Sequence, residues 1–118
     1  MSTPSRLPLA GIRVIELGQL LAGPFAGTLL AYFGAEVIKV EPPGGDPIRG
    51  WRKLDEEGTS FWWRSLGRNK KCITLDLKNP RGIDVAQKLI QGADVVIENF
   101  RPGTMEKWGL GPEQFKLN

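Results

Sequence analysis

The chain of 118 residues carries 16 lysines and arginines against 13 aspartates and glutamates, a net charge of +3 at pH 7. Its length allows one domain at most, and 41% hydrophobic with 25% charged residues is ordinary for a soluble globular protein. The basic runs are too short to indicate a nucleic-acid partner, and glycine and proline interrupt every apolar stretch before the ~20 residues of a membrane span, so we expect neither partner.

The first forty residues predict a strand–helix–strand unit. Residues 12–17 are β-branched and apolar, as in a buried strand, and residues 36–40 repeat this pattern. Between them, Pro24 suits the first position of a helix and Gly34 the position after its end. The helix over residues 25–33 is apolar nearly all round, which predicts burial on more than one side. The unit has the length of a βαβ motif with parallel strands.

A long irregular segment and a second strand–helix–strand pattern follow. Residues 46–71 show no clear period, and we expect one helical turn near residues 59–65. Asparagine as a cap and proline at the first position then predict the start of a helix, which a glycine ends. The remaining predicted elements are strands over 72–76 and 94–98, a helix between Pro80 and Gly92, a short helix near 105–108 and a further helix start at 112–117.

These elements predict an α/β fold, a Rossmann-like open and mostly parallel sheet with flanking helices. In such sheets ligands bind at the carboxyl ends of the strands. Five short segments lie at or just after predicted strand ends and are therefore candidates for a binding site. They are residues 18–24, 33–41, 69–71, 75–78 and 98–103.

Taken in order, the five segments resemble the N-terminal part of the class III coenzyme A transferases, such as formyl-CoA and carnitine CoA-transferases. The resemblance extends over residues 9–118, and it implies that residues 1–118 are the N-terminal part of a large coenzyme A-binding domain. It also implies an enzyme that transfers CoA between an acyl-CoA and a carboxylic acid through an aspartyl intermediate. The family's nucleophilic aspartate lies beyond Asn118, so we expect no catalytic residue here and no turnover by this chain alone.

The resemblance also implies which residues contact the coenzyme. A lysine can pair with phosphate, an asparagine can donate and accept hydrogen bonds, and a phenylalanine can stack on adenine or pack on the pantetheine arm. The implied coenzyme-binding residues are Leu21, Ala22, Leu75, Lys78, Asn99, Phe100 and Lys107. The segment 69–71 is expected to line the same cleft.

Three positions depart from the family pattern, and at one of them Lys107 replaces the usual arginine, which keeps the charge but loses the bidentate fork. Many members carry glutamine where this chain has Leu21, and here the glutamine stands at position 19 instead. Some members carry an arginine near the phosphates where this chain has Pro42, which offers neither charge nor a backbone donor. Arg49 and Arg52 are the candidates to replace that charge.

Two alternatives remain open at this point. The same segments run through the related α-methylacyl-CoA racemases, which use the coenzyme but abstract a proton. A non-catalytic Rossmann-type nucleotide-binding module is the second alternative, because Glu41 ends a strand where such folds place a ribose-binding acid. Against it, the loop after the first strand lacks the pattern G-x-G-x-x-G.

The remaining expectations concern cofactors, partners and compartment. A single cysteine, Cys72, excludes an internal disulfide, and the absence of histidine argues against a zinc site of the usual kind, so we expect no metal. The cysteine count and the absence of a secretory signal favour the cytoplasm or an organelle matrix. The resemblance implies acyl-CoA and a carboxylic acid acceptor as substrates, and an interlocked homodimer as the assembly.

Overall fold

Within residues 7–115, which the computed structural model describes, four strands form one sheet in the order β3-β2-β1-β4. All three strand pairings are parallel, and this confirms the predicted α/β fold with a parallel sheet. The strands are β1 (Arg13–Glu16), β2 (Glu36–Glu41), β3 (Lys70–Thr74) and β4 (Val95–Ile97).

Four α-helices and two short 3₁₀ helices connect and follow these strands in the described part of the chain. They are α1 (Ala22–Tyr32), α2 (Phe61–Leu66), α3 (Pro80–Gln91) and α4 (Thr104–Lys107), with 3₁₀ helices over Pro47–Gly50 and Pro112–Phe115. The predicted capping of α3 is confirmed, because the Asn79 side chain accepts a hydrogen bond from the Arg81 N–H at 2.9 Å. Of the helix start predicted at 112–117, residues 116 and 117 lie outside the described residues.

The third strand begins two residues before its predicted start. The prediction followed the alternation of residues 72–76, whereas β3 pairs with β2 from Lys70 onward. Within residues 7–115 this strand pairs only with β2, and most of its residues stay exposed or half-buried. Hydrogen bonding to β2, rather than an apolar face, therefore sets where β3 begins.

Helices cover both faces of the sheet. Val14 and Val37 pack with residues of α1 on one face. Ile15 and Leu17 face the other way and pack with residues of α3 and α4. The two hydrophobic clusters follow the period of two in each strand, because successive side chains point to opposite faces.

Helix α1 corrects one expectation. Its nearly continuous apolar sequence predicted burial on more than one side, but only the small residues are buried, among them Gly23 and Gly27. Larger side chains on the outer side are exposed, and Phe25, Leu29 and Tyr32 are 53%, 45% and 65% accessible. Small residues bring the helix axis close to the sheet, so the large ones have to point away from it. No helix within residues 7–115 is both long and apolar enough to cross a membrane.

The strand order places a crevice at one point of the carboxyl edge. From β1 the chain adds β2 and then β3 on one side of the sheet, and β4 then pairs with β1 on the other side. Loops that follow two adjacent strands of this kind diverge to opposite faces and leave a crevice between them. In this chain the rule predicts that crevice between loop 18–21 and the segment that follows β4.

Candidate functional site

A cavity of about 390 Å³ opens at the carboxyl edge of the sheet. Four segments at or after the strand ends form its walls, and most of the wall surface is apolar. We call it the edge cavity; residues that line it include Gln19, Leu75, Leu77, Lys78, Phe100 and Trp108. A shallower space of about 490 Å³, the side depression, adjoins it; its lining includes Leu20, Leu21, Ala22, Trp51 and Asn99, and it shares Gln19 and Phe100 with the edge cavity.

The structure brings together six of the seven residues that the resemblance implied. Leu75 and Lys78 line the edge cavity, and Phe100 lines both spaces. Lys107 is exposed near the end of α4 and lines neither space. The residues assigned to the side depression are Leu21, Ala22 and Asn99.

The Asn99 side chain links the loop after β1 to the loop after β4 through two hydrogen bonds. Its Oδ1 accepts a hydrogen bond from the Gln19 N–H at 2.8 Å, and its Nδ2 donates to the Gln19 carbonyl at 2.9 Å. A Cβ at Gly18 would lie 2.6 Å from Asn99 Oδ1, so only glycine leaves room for this arrangement. The side chain thus contacts the protein backbone on both of its polar atoms, a role that the sequence did not indicate.

Trp108 is a cavity residue that the sequence interpretation missed. Its ring meets the Phe100 ring edge-on, with centroids 5.3 Å apart and planes at 81°. Both rings line the edge cavity, so Trp108 fixes the orientation of the phenylalanine that a ligand would contact. A signal was available, because an aromatic residue eight positions after Phe100 belongs to the predicted short helix that follows the same loop.

Lys78 lies in a tight turn between β3 and α3. Its backbone N–H donates to Asp76 Oδ1 at 3.0 Å, while its side chain is exposed at the margin of the edge cavity. The turn packs on α3 so closely that a Cβ at Gly82 would lie 2.0 Å from the Asp76 carbonyl oxygen. A glycine on the first turn of α3 therefore sets the position of the segment that carries Lys78.

The Glu41 carboxylate accepts hydrogen bonds from other groups of the protein. Arg49 donates from Nε to Glu41 Oε2 and from Nη2 to Oε1, both at 2.6 Å, and the Asp46 N–H donates to Oε2 at 2.7 Å. Burial raises the pKa of Glu41, but these hydrogen bonds outweigh burial and hold the pKa below its usual value. Glu41 is thus unlike the free ribose-binding acid of a dinucleotide site, and Arg49 is already paired rather than free to replace the charge missing at Pro42.

Four charged side chains form a buried ion cluster beneath α1: Glu16, Lys39, Asp46 and Lys70, each with a fully buried side chain. Lys39 Nζ lies 2.7 Å from both Glu16 Oε2 and Asp46 Oδ2, and Lys70 Nζ lies 2.7 Å from Glu16 Oε1. Glu16 Oε1 accepts no well-directed hydrogen bond and contacts Lys70 as an ion pair alone. Two positive and two negative charges balance, as buried charges require.

The two lysines of this cluster respond differently to burial. Burial lowers the pKa of Lys39, but the charges and hydrogen bonds of Glu16 and Asp46 outweigh burial and raise the pKa above its usual value. For Lys70 burial dominates over the contact with Glu16, so its pKa is lowered. The cluster also corrects the expectation that Lys70 lines the binding cleft, because its ammonium points into the core.

The sequence held a signal for this cluster that the interpretation did not use. Glu16 and Lys39 stand within otherwise apolar, β-branched runs, where a charged residue is rarely found unless it is paired. Their strands pair in register, with Glu16 directly opposite Lys39. A buried acid in one strand and a buried base in the next would have indicated the ion pair.

Cys72 is predicted to be structural, and its surroundings agree with that prediction. It lies exposed in β3, where desolvation by neighbouring groups and then the nearby Glu41 carboxylate raise the pKa of its thiol, which disfavours the reactive thiolate. We expect Cys72→Ser, made in the protein at its natural length, to leave the turnover number within about twofold of the unsubstituted protein. A thousandfold loss in a steady-state assay would show that the thiol takes part in the chemistry.

The sequence of this chain matches the family model of CoA-transferase family III over residues 9–117. The chain belongs to CoA-transferase family III. The segments that the resemblance identified at the strand ends are therefore those of a family III CoA-transferase, and the cavity lies among them.

Named relatives of this family III chain act on several acids. It is 58% identical over 108 residues to a succinyl-CoA–D-citramalate CoA-transferase of Chloroflexus aurantiacus, a match that covers 91% of the chain and 27% of that relative. It is 46% identical to a succinate–glutarate CoA-transferase of Agrobacterium fabrum, over 93% of the chain and 29% of that relative. A formyl-CoA:oxalate CoA-transferase of Afipia carboxidovorans is 43% identical, over 93% of the chain and 26% of that relative.

Solved structures agree with the family and with the fold. A CaiB/BaiF family protein of Brucella suis superposes with a TM-score of 0.87 at 41% identity, covering 95% of the chain and 31% of that structure. A Mycobacterium tuberculosis protein superposes with a TM-score of 0.86 at 43% identity, covering 96% of the chain and 31% of that structure. The chain thus spans between a quarter and a third of the length of these proteins.

Proposed function

We propose that this chain forms the coenzyme A-binding part of an enzyme that transfers CoA from an acyl-CoA to a carboxylic acid. The observation that carries the proposal is the apolar edge cavity at the carboxyl edge of the sheet, in a chain that belongs to CoA-transferase family III. An aspartate outside this chain attacks the thioester carbonyl, forms a mixed anhydride and releases the coenzyme as a thiolate. The residues of this chain bind and orient the coenzyme for that step.

The chemistry of the cavity supports coenzyme A as the ligand. Leu75 and the rings of Phe100 and Trp108, which meet edge-on, offer an apolar surface for a flat adenine base. The Lys78 ammonium stands exposed at the margin, where the phosphates of a nucleotide would meet solvent. The same loops continue into the side depression, which suits the pantetheine arm because it is mostly apolar and open.

The named relatives suggest the substrates. Two of them use succinyl-CoA or succinate, paired with D-citramalate or glutarate. We propose succinyl-CoA as the donor and a dicarboxylic acid as the acceptor, in a cytoplasmic or organelle-matrix homodimer that needs no metal. An assay of the natural-length protein with succinyl-CoA and each of these acids, with the CoA products separated by chromatography, tests the substrates, and light scattering tests the dimer.

The binding site is tested by three single substitutions. We expect Lys78→Ala, Phe100→Ala and Asn99→Ala each to weaken coenzyme A binding by about 1–3 kcal/mol, through the loss of a charged contact, of aromatic packing and of the hydrogen bonds that hold Gln19, respectively. Isothermal titration of the natural-length protein measures the change. Lys88→Ala is the matched control, because this exposed lysine lies on α3 and pairs only weakly, 3.6 Å from Asp84; its affinity should not change.

Unchanged affinity in all three variants would reject the site, and no binding by the unsubstituted protein would reject coenzyme A as its ligand. The reaction itself separates transferase from racemase. A transferase moves CoA to the added acid, whereas a racemase exchanges the α-hydrogen of a 2-methylacyl-CoA with deuterium from D₂O and needs no acceptor. Deuterium exchange without transfer would contradict the proposed function.

A further inference from the structure

The buried ion cluster forms hydrogen bonds, from the core side, with the backbone of one wall of the binding site. Asp46 Oδ1 and Oδ2 accept the Leu20 N–H at 3.1 and 3.3 Å, and Lys39 Nζ donates to the Gly18 carbonyl at 3.3 Å. Lys70 Nζ donates to the Pro24 carbonyl at 2.7 Å. Charged groups of the cluster therefore contact the backbone of loop 18–21 at Gly18 and Leu20, and the first turn of α1 at Pro24; we refer to this stretch as loop 18–24.

This loop has a backbone conformation that needs support. Leu20 adopts a φ of +64°, in the left-handed region that a leucine side chain disfavours by roughly 1–2 kcal/mol. Its N–H donates to the carboxylate of Asp46, whose side chain is out of contact with solvent. Strained residues of this kind persist where the surroundings determine their conformation.

The outward side of the same loop lines the site. Gln19 lines both the edge cavity and the side depression, and Leu20 and Leu21 line the depression. On the outward side, the only side chain within residues 7–115 that forms a hydrogen bond with Gln19 is that of Asn99. The positions of these wall residues consequently depend on what lies under the loop.

The stability of the fold does not by itself explain why these four charges are buried. Removing four charges from water costs several kcal/mol per ion, and well-packed apolar residues in place of buried ion pairs are often equally or more stable. An apolar core could fill this space but could not hold a backbone N–H and two carbonyls at defined positions. The contacts of the cluster with loop 18–24 are what an apolar replacement would lose.

We propose that Asp46 and Lys39 are positioning residues of the binding site, which act by holding Leu20 and Gly18 in the conformation that the coenzyme requires. The proposal rests on the proposed function, since it takes coenzyme A as the ligand of that wall. Neither residue lines the edge cavity or the side depression, so both act through the loop rather than by contact with the ligand.

The test compares Asp46→Asn with a charge-balanced variant, Lys39→Met/Asp46→Asn, in the natural-length protein. The double variant leaves Glu16 and Lys70 as a neutral pair, so it is expected to fold even if the single variant does not. The matched control is Asp55→Asn. Asp55 likewise accepts backbone hydrogen bonds, from Glu57 and Thr59, and pairs with an arginine, Arg64, but it lines neither space.

Two measurements are made on each folded variant. Hydrogen exchange of the peptide that spans residues 18–24, without ligand, should be about tenfold faster in both Asp46 variants than in the Asp55 control. The dissociation constant of coenzyme A, from isothermal titration, should rise by about tenfold in the same two variants.

Each result bears on the proposal. Unchanged exchange in a folded Asp46 variant would overturn it, and so would faster exchange with unchanged coenzyme affinity. An equal loss of affinity in the Asp55 control would show a general loss of stability and would also overturn it. If the unsubstituted protein binds no coenzyme A, the proposed function fails, and the exchange measurement still decides whether the cluster holds the loop.

Discussion

Lys39→Met should lower the free energy of unfolding by about 3–5 kcal/mol, the cost of removing one partner from a buried ion pair. Methionine fills much of the space of the lysine stem but leaves the carboxylates of Glu16 and Asp46 with only Lys70 as a buried countercharge. Lys39 contacts both acids of the cluster directly, so its loss removes two ion pairs at once. Urea unfolding of the natural-length protein measures the change.

Lys71→Met is the matched control for this prediction. Lys71 lies next to Lys70 on β3 and pairs with Glu36 at 2.8 Å, but its side chain is 71% exposed. A surface ion pair contributes about 0–1 kcal/mol, so we expect a change within that range. Adding Asp46→Asn to Lys39→Met should restore part of the lost stability. A similar loss in the Lys71 and Lys39 variants would contradict the assigned role of burial.

Gly82→Ala should destabilise the protein by about 3 kcal/mol, although alanine is the better helix former by about 1 kcal/mol. The new methyl group would lie 2.0 Å from the Asp76 carbonyl oxygen and 2.8 Å from its carbon. That oxygen also accepts the Asn79 N–H at 3.1 Å, so it belongs to the turn that enters α3. Either the turn or the helix has to move, because backbone atoms cannot rotate away.

The same substitution should weaken coenzyme A binding, because the turn that shifts carries Lys78 and lines the edge cavity. Thermal unfolding and isothermal titration of the natural-length protein measure the two effects. Gly50→Ala is the control: a Cβ there meets nothing within 4 Å, and its effect should stay within about 1 kcal/mol. A Gly82→Ala variant that is more stable than the original would show that α3 packs less closely on the turn.

The order and type of most elements could be predicted from the sequence, because local patterns determine them. Residues 12–17 and 36–40 contain the strands β1 and all but the last residue of β2, and Asn79 with Pro80 begins α3. These signals act over a few residues, through side-chain periodicity and the backbone preferences of asparagine, proline and glycine. Predictions that needed the neighbours of a segment were less accurate. The start of β3 and the exposed face of α1 are examples.

The sequence by itself determined that this is a parallel α/β chain of the coenzyme A transferase type, and which segments follow its strands. Only the tertiary structure decided which side chains of those segments contact one another. Asn99 binds the backbone of Gln19, 80 residues away, and Lys39 meets Glu16, 23 residues away. The two charges stand out in their apolar strands, but the geometry of the sheet, and not spacing along the chain, brings each of these pairs together. The physical reason is that buried polar groups need partners, and only the folded chain supplies them.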